Sequence, residues 1–341
     1  MSLLTLSAEE LEARVVELGG RPFHARSIRR HVFERGALSY EPMTDLSAAL
    51  RERLAVELPL LTAREEARSV AADGTTKLLL TLADGATLET VHIPSRRAGS
   101  GATLCVSSQV GCPVGCPFCA SGQLGLKRNL AAHEIVEQYL RGRDLGPLSR
   151  SVVMGIGEPL LNARNLLAAL TLVHDELGLG ARRITVSTVG FPDRLRRLAP
   201  ERPPFQLAIS LHSPDQEQRD RLVPAMAGTP IDEVLAAGDF WFEQTGREVT
   251  YEYALLGGEN DDAAHADRLA ARLRGRRATV NLIPYNPVAP LPFKRPRPDA
   301  VRRFRERLEA SGLVATVRWS RGLEADAACG QLRLAHAAGG A

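Results

Sequence analysis

The chain has 341 residues, 44% of them hydrophobic and 24% charged, with 43 basic against 40 acidic side chains and a formal net charge of +3. That length fits a barrel-sized domain plus a smaller one, and the composition supports a sizeable core without repeats or low-complexity linkers. No stretch approaches the ~18 consecutive apolar residues of a membrane span. The opening MSLLTLSAEELEARVVE is acidic and amphipathic with no apolar signal core, so no membrane association and a cytoplasmic location are expected. Five cysteines, three of them in one loop, argue against a disulfide framework and for a reducing compartment.

The small net charge does not establish a nucleic-acid partner. The basic residues gather in Phe293 to Arg307, Arg272 to Arg277 and Asp193 to Arg197, and nearly all are arginine. Arginine suits bidentate phosphate contacts. A run such as Arg302, Arg303, Arg305 and Arg307 equally describes a solvated helix face, and composition leaves the two readings open.

The first sixty residues read as helices. Ser7 and Glu10 form a capping box ahead of Leu11, Val15 and Leu18, and Gly19-Gly20 stops that helix. A second helix is expected from about His24 to Arg35 and a third from about Ser47 to Glu57. The period then changes: residues 65–94 hold Asp73-Gly74 and Asp84-Gly85 between short strand-like runs, a small β meander. From Ala102 onward strands (near 103–108, 151–155, 183–188, 206–211, 248–255 and 279–284) alternate with helices (near 131–142, 163–177, 192–198, 230–244, 262–274 and 298–311). Six such units predict an α/β fold with a partial (β/α)6 barrel, and a last strand is expected near 314–319. The expected domains are a helical accessory domain over 1–60, the meander as a linking segment over 61–98, and the barrel with its extension over 99–341.

In parallel α/β sheets, ligands gather beyond the carboxyl ends of the strands. After the first barrel strand comes GCPVGCPFCASG, with Cys112, Cys116 and Cys119 in a CxxxCxxC array loosened by Gly111 and Gly115. Three thiolates so placed can hold three irons of a four-iron cluster and leave the fourth open. Ferredoxins use a tighter run with a fourth cysteine, and structural zinc favours CxxC pairs. Three buried or zinc-binding thiols are the plainer alternative. After the second strand, Gly155-Ile156-Gly157-Glu158-Pro159 lacks the third glycine of a dinucleotide fingerprint. It reads as a strand-to-helix turn, or as a backbone edge and a carboxylate that meet a ligand ammonium. Ser187, Ser210, His212 and Asn286 follow later strands, as polar caps or as hydrogen-bonding partners of a ligand. Cys105 and Cys329 remain. Each is a buried small hydrophobe, a zinc ligand, or one of a nucleophile and resolving pair.

The CxxxCxxC array with Phe118 between its last two cysteines is the signature of the radical S-adenosylmethionine (SAM) enzymes. The chain as a whole resembles the RlmN-type dual-specificity RNA adenosine-C2 methyltransferases, a radical SAM group that also contains the Cfr enzymes. The resemblance runs from RPFHARSIRRHVFERG and MTDLSAALRERL, through TLCVSSQVGC, CASGQLGLKRNL, VVMGIGEPLLN, ITVSTVG and LAISLHSP, to NLIPYNP and DAACGQL. It implies that Cys112, Cys116 and Cys119 ligate a [4Fe-4S] cluster, and that Gly157, Glu158, Ser187, Ser210, Leu211, His212 and Asn286 contact SAM, used twice per turnover. It further implies Cys329 as methyl carrier, Cys105 as resolving cysteine and Glu89 as proton acceptor.

The implied mechanism methylates Cys329 from a first SAM and cleaves a second at the cluster to a radical that takes hydrogen from the S-methyl group. The carbon radical then adds to carbon 2 of adenine. Glu89 removes the proton there, and Cys105 attacks Cys329 to release methylated RNA and leave a disulfide. The implied partners are 23S rRNA at the peptidyl-transferase centre, tRNA at the adenosine beside the anticodon, and an electron donor such as flavodoxin or ferredoxin; a monomer is expected. Pro159 favours carbon 2 over the carbon 8 of Cfr-type enzymes. A non-catalytic Fe–S or zinc RNA-binding module is the reading from another class. Met226 stands where relatives often carry asparagine, so a differently shaped loop is expected from Pro224 to Pro230.

Overall fold

Ser7 opens the first helix by the expected exchange, its Oγ accepting from the Glu10 amide (3.1 Å) while the Glu10 carboxylate accepts from the Ser7 amide (2.8 Å). The computed structural model describes residues 2–97 and 99–319. Helices α1 (Ala8–Glu17), α2 (Pro22–Arg29) and α3 (Ala48–Glu57) form the N-terminal part, and α2 continues as a π-helical turn over Arg30–Glu34. Gly20 turns the chain back so tightly that a Cβ there would lie 2.9 Å from the Val15 carbonyl oxygen.

The meander follows as β1 (Arg64–Val70), β2 (Thr76–Thr81) and β3 (Thr87–Ile93). It is continuous with the barrel, because β3 pairs antiparallel with β4 (Ala102–Cys105). A hairpin of β5 (Gln109–Gly111) and β6 (Leu126–Asn129) brackets the cysteine loop. Then come α4 (Ala132–Asp144), β7 (Leu148–Val153), α5 (Ala163–Glu176), β8 (Ile184–Thr188), α6 (Pro192–Leu198), β9 (Gln206–Ser210) and α7 (Gln216–Leu222). The chain continues through α8 (Ile231–Thr245), β10 (Val249–Leu255), α9 (Ala263–Leu273), β11 (Ala278–Pro284), α10 (Pro298–Ala310) and β12 (Val314–Val317).

The main sheet runs β1-β2-β3-β4-β7-β8-β9-β10-β11-β12, parallel from β4 onward. Each parallel strand lies beside its predecessor, which is the winding of a barrel and not of a doubly wound sheet. Three details differ from the sequence reading. The first barrel strand leaves the sheet at Cys105, with Val106 to Ser108 leading into the hairpin. The hairpin went unseen because its strands of three and four residues flank a long loop. Helix α7, QEQRDRL, holds a single apolar residue and so shows no helical stripe.

Strand alternation sorts the faces. A Cβ on Gly142 of α4 would meet Leu104 at 2.4 Å, so Leu104 points to the helices and Cys105 to the barrel interior. Likewise Ile209 and the Tyr251 hydroxyl face Gly238 of α8, which turns Ser210 and Glu252 inward.

Helix α4 fastens the N-terminal part to the barrel. Glu137, fully buried, accepts from the Thr62 amide (2.7 Å), the Thr62 hydroxyl (2.6 Å) and the Ala63 amide (2.8 Å). Arg141 donates to the Ala63 carbonyl and Arg143 to those of Phe33 and Glu34. Replacing Glu137 by alanine strands three donors, so Glu137→Ala is expected to lose about 2–4 kcal/mol in urea unfolding, with Glu137→Gln in between. An unchanged unfolding midpoint would show that this junction does not hold the two parts.

Candidate active site at the mouth of the barrel

The cysteine loop folds on its own backbone. The Cys112 amide donates to the Gly125 carbonyl (3.0 Å), the Cys119 amide to Cys116 (3.1 Å) and the Gly122 amide to Cys119 (3.0 Å). Gly111, at φ +80°, has the Gly125 carbonyl oxygen where a Cβ would sit, 1.8 Å away, so only glycine closes this hairpin. Cys116 is buried, and Cys112 and Cys119 are half-buried. Burial pushes the Cys112 thiol up to about 12, while the amides of Val114 and Gly157 pull it the other way. The Cys116 thiol is also raised well above its ordinary value, by burial and then by its neighbours Cys119 and Cys112.

The Gly157 contact joins this loop to Gly155–Pro159. The Ile156 carbonyl accepts from the amides of Ser108 (2.9 Å) and Gln109 (3.1 Å), and the Glu158 amide donates to the Gln109 side chain (2.7 Å). Gly157, at φ +113°, leaves room for Gln109, whose Cβ a side chain would meet at 2.6 Å. Glu158 is 2% exposed. Its carboxylate accepts from the Leu160 amide (2.9 Å), the Thr188 hydroxyl (2.6 Å) and the Val189 amide (2.9 Å). Burial raises its carboxyl above the ordinary range despite these donors. The carboxylate is thus a strap between this turn and the end of β8.

Ser187 and Ser210 meet at 3.2 Å between their hydroxyls. Leu211 is fully buried and presents backbone only, its amide donating to the Glu252 carbonyl (3.0 Å). His212 takes φ +61°, unusual for a side chain with a Cβ, and Asn260 holds its carbonyl at 2.8 Å. The Ala254 amide donates to His212 Nδ1 (3.1 Å), which leaves the ring proton on Nε2. Burial, with Arg219 nearby, lowers this imidazole to about 3, so it is neutral at working pH. The Phe118 ring sits edge-on to His212 (5.1 Å) and to Phe293 (6.3 Å), and Asn286 accepts from Arg295 (2.5 Å).

Glu89 and Cys105 share the inner face, since Cys105 pairs with Val91 and Glu89 lies two residues along β3. Both are buried, and the Ser107 hydroxyl fixes the Glu89 carbonyl (2.6 Å). Cys329 lies outside the described residues. Met226, by contrast, is a core residue at 1% exposure, and the Ala225 amide bonds Val114 (3.2 Å), so the Pro224–Met226 turn packs onto the cysteine loop.

The donor set fits a thiolate-held cluster with an organic ligand. Three thiols lie in one loop, and the buried Ser108 Oγ, Ser121 Oγ, Arg219 Nε and Arg219 Nη1 have no protein partner. Among the described residues no three His, Cys, Asp or Glu side chains gather on one metal-ion position. In a cluster each thiolate takes its own iron.

Two residues were not legible in the sequence. Arg219 is a buried cation inside a polar heptapeptide, and Glu252 sits in YEYALL without any motif around it. Glu252 is 3% exposed inside the barrel, accepts from Asn281 (2.8 Å), and burial lifts its carboxyl from 4.5 to about 7. A carboxyl raised on folding stabilises the fold below its unfolded pKa and loses that contribution as pH rises through the folded value. His212 has the opposite sign. The difference between wild type and Glu252→Gln isolates the carboxyl, and the wild-type advantage is expected to fall by roughly 2–3 kcal/mol from pH 5 to 8. Urea unfolding across that range checks this, and a pH-independent difference would sink it.

Comparison with known proteins places this geometry. Residues 106–270 match the radical SAM superfamily, and residues 1–58 match the ribosomal RNA large subunit methyltransferase N-terminal domain. The protein named "Probable dual-specificity RNA methyltransferase RlmN" of Rhodopirellula baltica is 47% identical, covering 97% of this chain and 90% of its own. Its namesake in Nostoc punctiforme is 45% identical, covering 97% and 93%. The crystal structure of a radical SAM methyltransferase from Sphaerobacter thermophilus superposes with a TM-score of 0.91 at 42% identity, over 97% of this chain and 98% of that one. The chain belongs to the RlmN family of radical SAM RNA methyltransferases, whose cofactors are a [4Fe-4S] cluster and S-adenosylmethionine.

Proposed function

We propose that this protein methylates carbon 2 of adenosine in 23S rRNA and in tRNA, with Cys112, Cys116 and Cys119 as cluster ligands and Cys329 as methyl carrier. The observation that carries the reading is the shared inward face of Glu89 and Cys105, next to the cysteine loop. Cluster and SAM together supply a radical able to take hydrogen from an S-methyl group. Glu89, its backbone fixed by Ser107, is held where a proton leaving an adenine enclosed in the barrel can be accepted. Cys105, at the end of β4, offers the thiol that releases product from a cysteine-bound RNA, forming the disulfide that external thiols then reduce. Gly157, Glu158, Ser187, Ser210, Leu211, His212 and Asn286 line the SAM side. Of these, Glu158 acts through the turn it holds.

The crosslink is the decisive test. Cys105→Ala should accumulate a stable protein–RNA adduct between Cys329 and an adenosine, and the adduct should vanish in the double substitution with Cys329→Ala. Normal turnover by Cys105→Ala without an adduct would refute the resolving role. Cys116→Ala should lose the brown chromophore and all SAM cleavage.

The RNA path is expected away from the arginine runs. Arg272 pairs with Asp232, Arg276 with Asp239, Arg303 with Asp299 and Arg307 with Asp267, so those runs are largely self-neutralised. Arg96, Arg97, Arg150 and Arg183 instead line an open cavity of about 720 Å³ with no acidic residue in its wall. Among the described residues none of the four has an ion pair. This cavity lies at the amino ends of β4 and β7, roughly 20 Å along the strands from the mouth. Alanine at these four positions should weaken RNA binding and reduce the slope of log K against log salt by roughly 0.7–0.9 per lost contact. Alanine at Arg302, Arg303 and Arg305 should change neither.

A further inference from the structure

Arg219 is fully buried in α7, yet its guanidinium has one protein acceptor, the Val189 carbonyl at 2.8 Å, and its Nε and Nη1 have none. A buried cation left so unsatisfied is costly unless an anion completes it. The group lies at the barrel mouth. Val189 also donates to Glu158, and the turn after α7 is bonded to the cysteine loop through Ala225 and Val114. Arg219 and Cys116 are near enough for each charge to act on the other, and Asp220 is the carboxylate that acts on Arg219. The His212 imidazole, on which the Arg219 charge also acts, is neutral.

We propose that Arg219 is a positioning residue for cluster charge: its free N–H groups face the negative charge that the thiolate-held cluster brings into a dry site. Three thiolates on a four-iron cluster make a net anion, and one electron from an external donor makes it more negative. A fixed buried cation favours that reduced form more than the oxidised one. The inference rests on Cys116 being a cluster ligand.

The test compares Arg219→Met and Arg219→Lys with wild type. In the iron-free proteins, Arg219→Met should unfold at the same or higher urea concentration, because an incompletely paired buried charge has been removed; clear destabilisation, or failure to fold, would mark a purely structural guanidinium. After anaerobic reconstitution, Arg219→Met should hold the wild-type iron content, and its midpoint potential, followed by electron paramagnetic resonance without SAM, should move to more negative values. Arg219→Lys should stay closer to wild type. An unchanged midpoint in Arg219→Met overturns the proposal, and if SAM affinity falls at the same time the guanidinium serves the methionyl carboxylate instead. Failure of the wild type to take up iron would instead refute the cysteine ligand assignment.

Discussion

The buried carboxylate of Glu158 sets the geometry on which the rest of the mouth depends. Its amide is held by Gln109 from the hairpin, its oxygens hold Thr188 and Val189 at the end of β8, and the Val189 carbonyl holds Arg219 of α7. Four segments far apart in sequence are thereby linked, through the Glu158 side chain, its own amide and the Val189 carbonyl. Each of those donors, left unmade in a dry site, costs about 1–3 kcal/mol, so the relative placement of the cysteine loop and the serine pair is rigid. The glycines of this region follow from the same closeness, since Gly155 and Gly157 leave no room for a Cβ against Val106, Ser107 and Gln109.

The parts legible in the sequence are those that strand topology makes predictable. A parallel barrel puts every strand end at one mouth, so residues just after each strand converge without any knowledge of side-chain detail. The cysteine loop, Gly157, Ser187, Ser210 and His212 were found in that way. Arg219 and Glu252 were not, because a lone buried charge leaves no periodic trace, and its neighbours in space come from other strands. The arginine runs stayed ambiguous for the mirror reason: Arg307 meets Asp267 and Arg272 meets Asp232, 40 residues away in both cases. Only the fold reveals that these charges are already answered.

The mouth is also electrostatically one-sided. Burial biases nearly every titratable group there toward its neutral form, with Cys112 up at about 12, Glu252 at about 7 and His212 at about 3. Arg219, brought down only to about 10, stays charged although fully buried. Holding the Cys112 and Cys116 thiols neutral avoids the cost of uncompensated anions in a dry loop. As the proposed cluster ligands they would give up their protons to bind iron, so loading would release protons and strengthen as pH rises. A fixed cation beside Cys116 lowers the cost of that ionisation in the one place where water cannot. The same enclosure that disfavours thiolates in the loop would therefore make a bound cluster dependent on a protein charge, and α7 offers one from a stretch of sequence with no motif of its own.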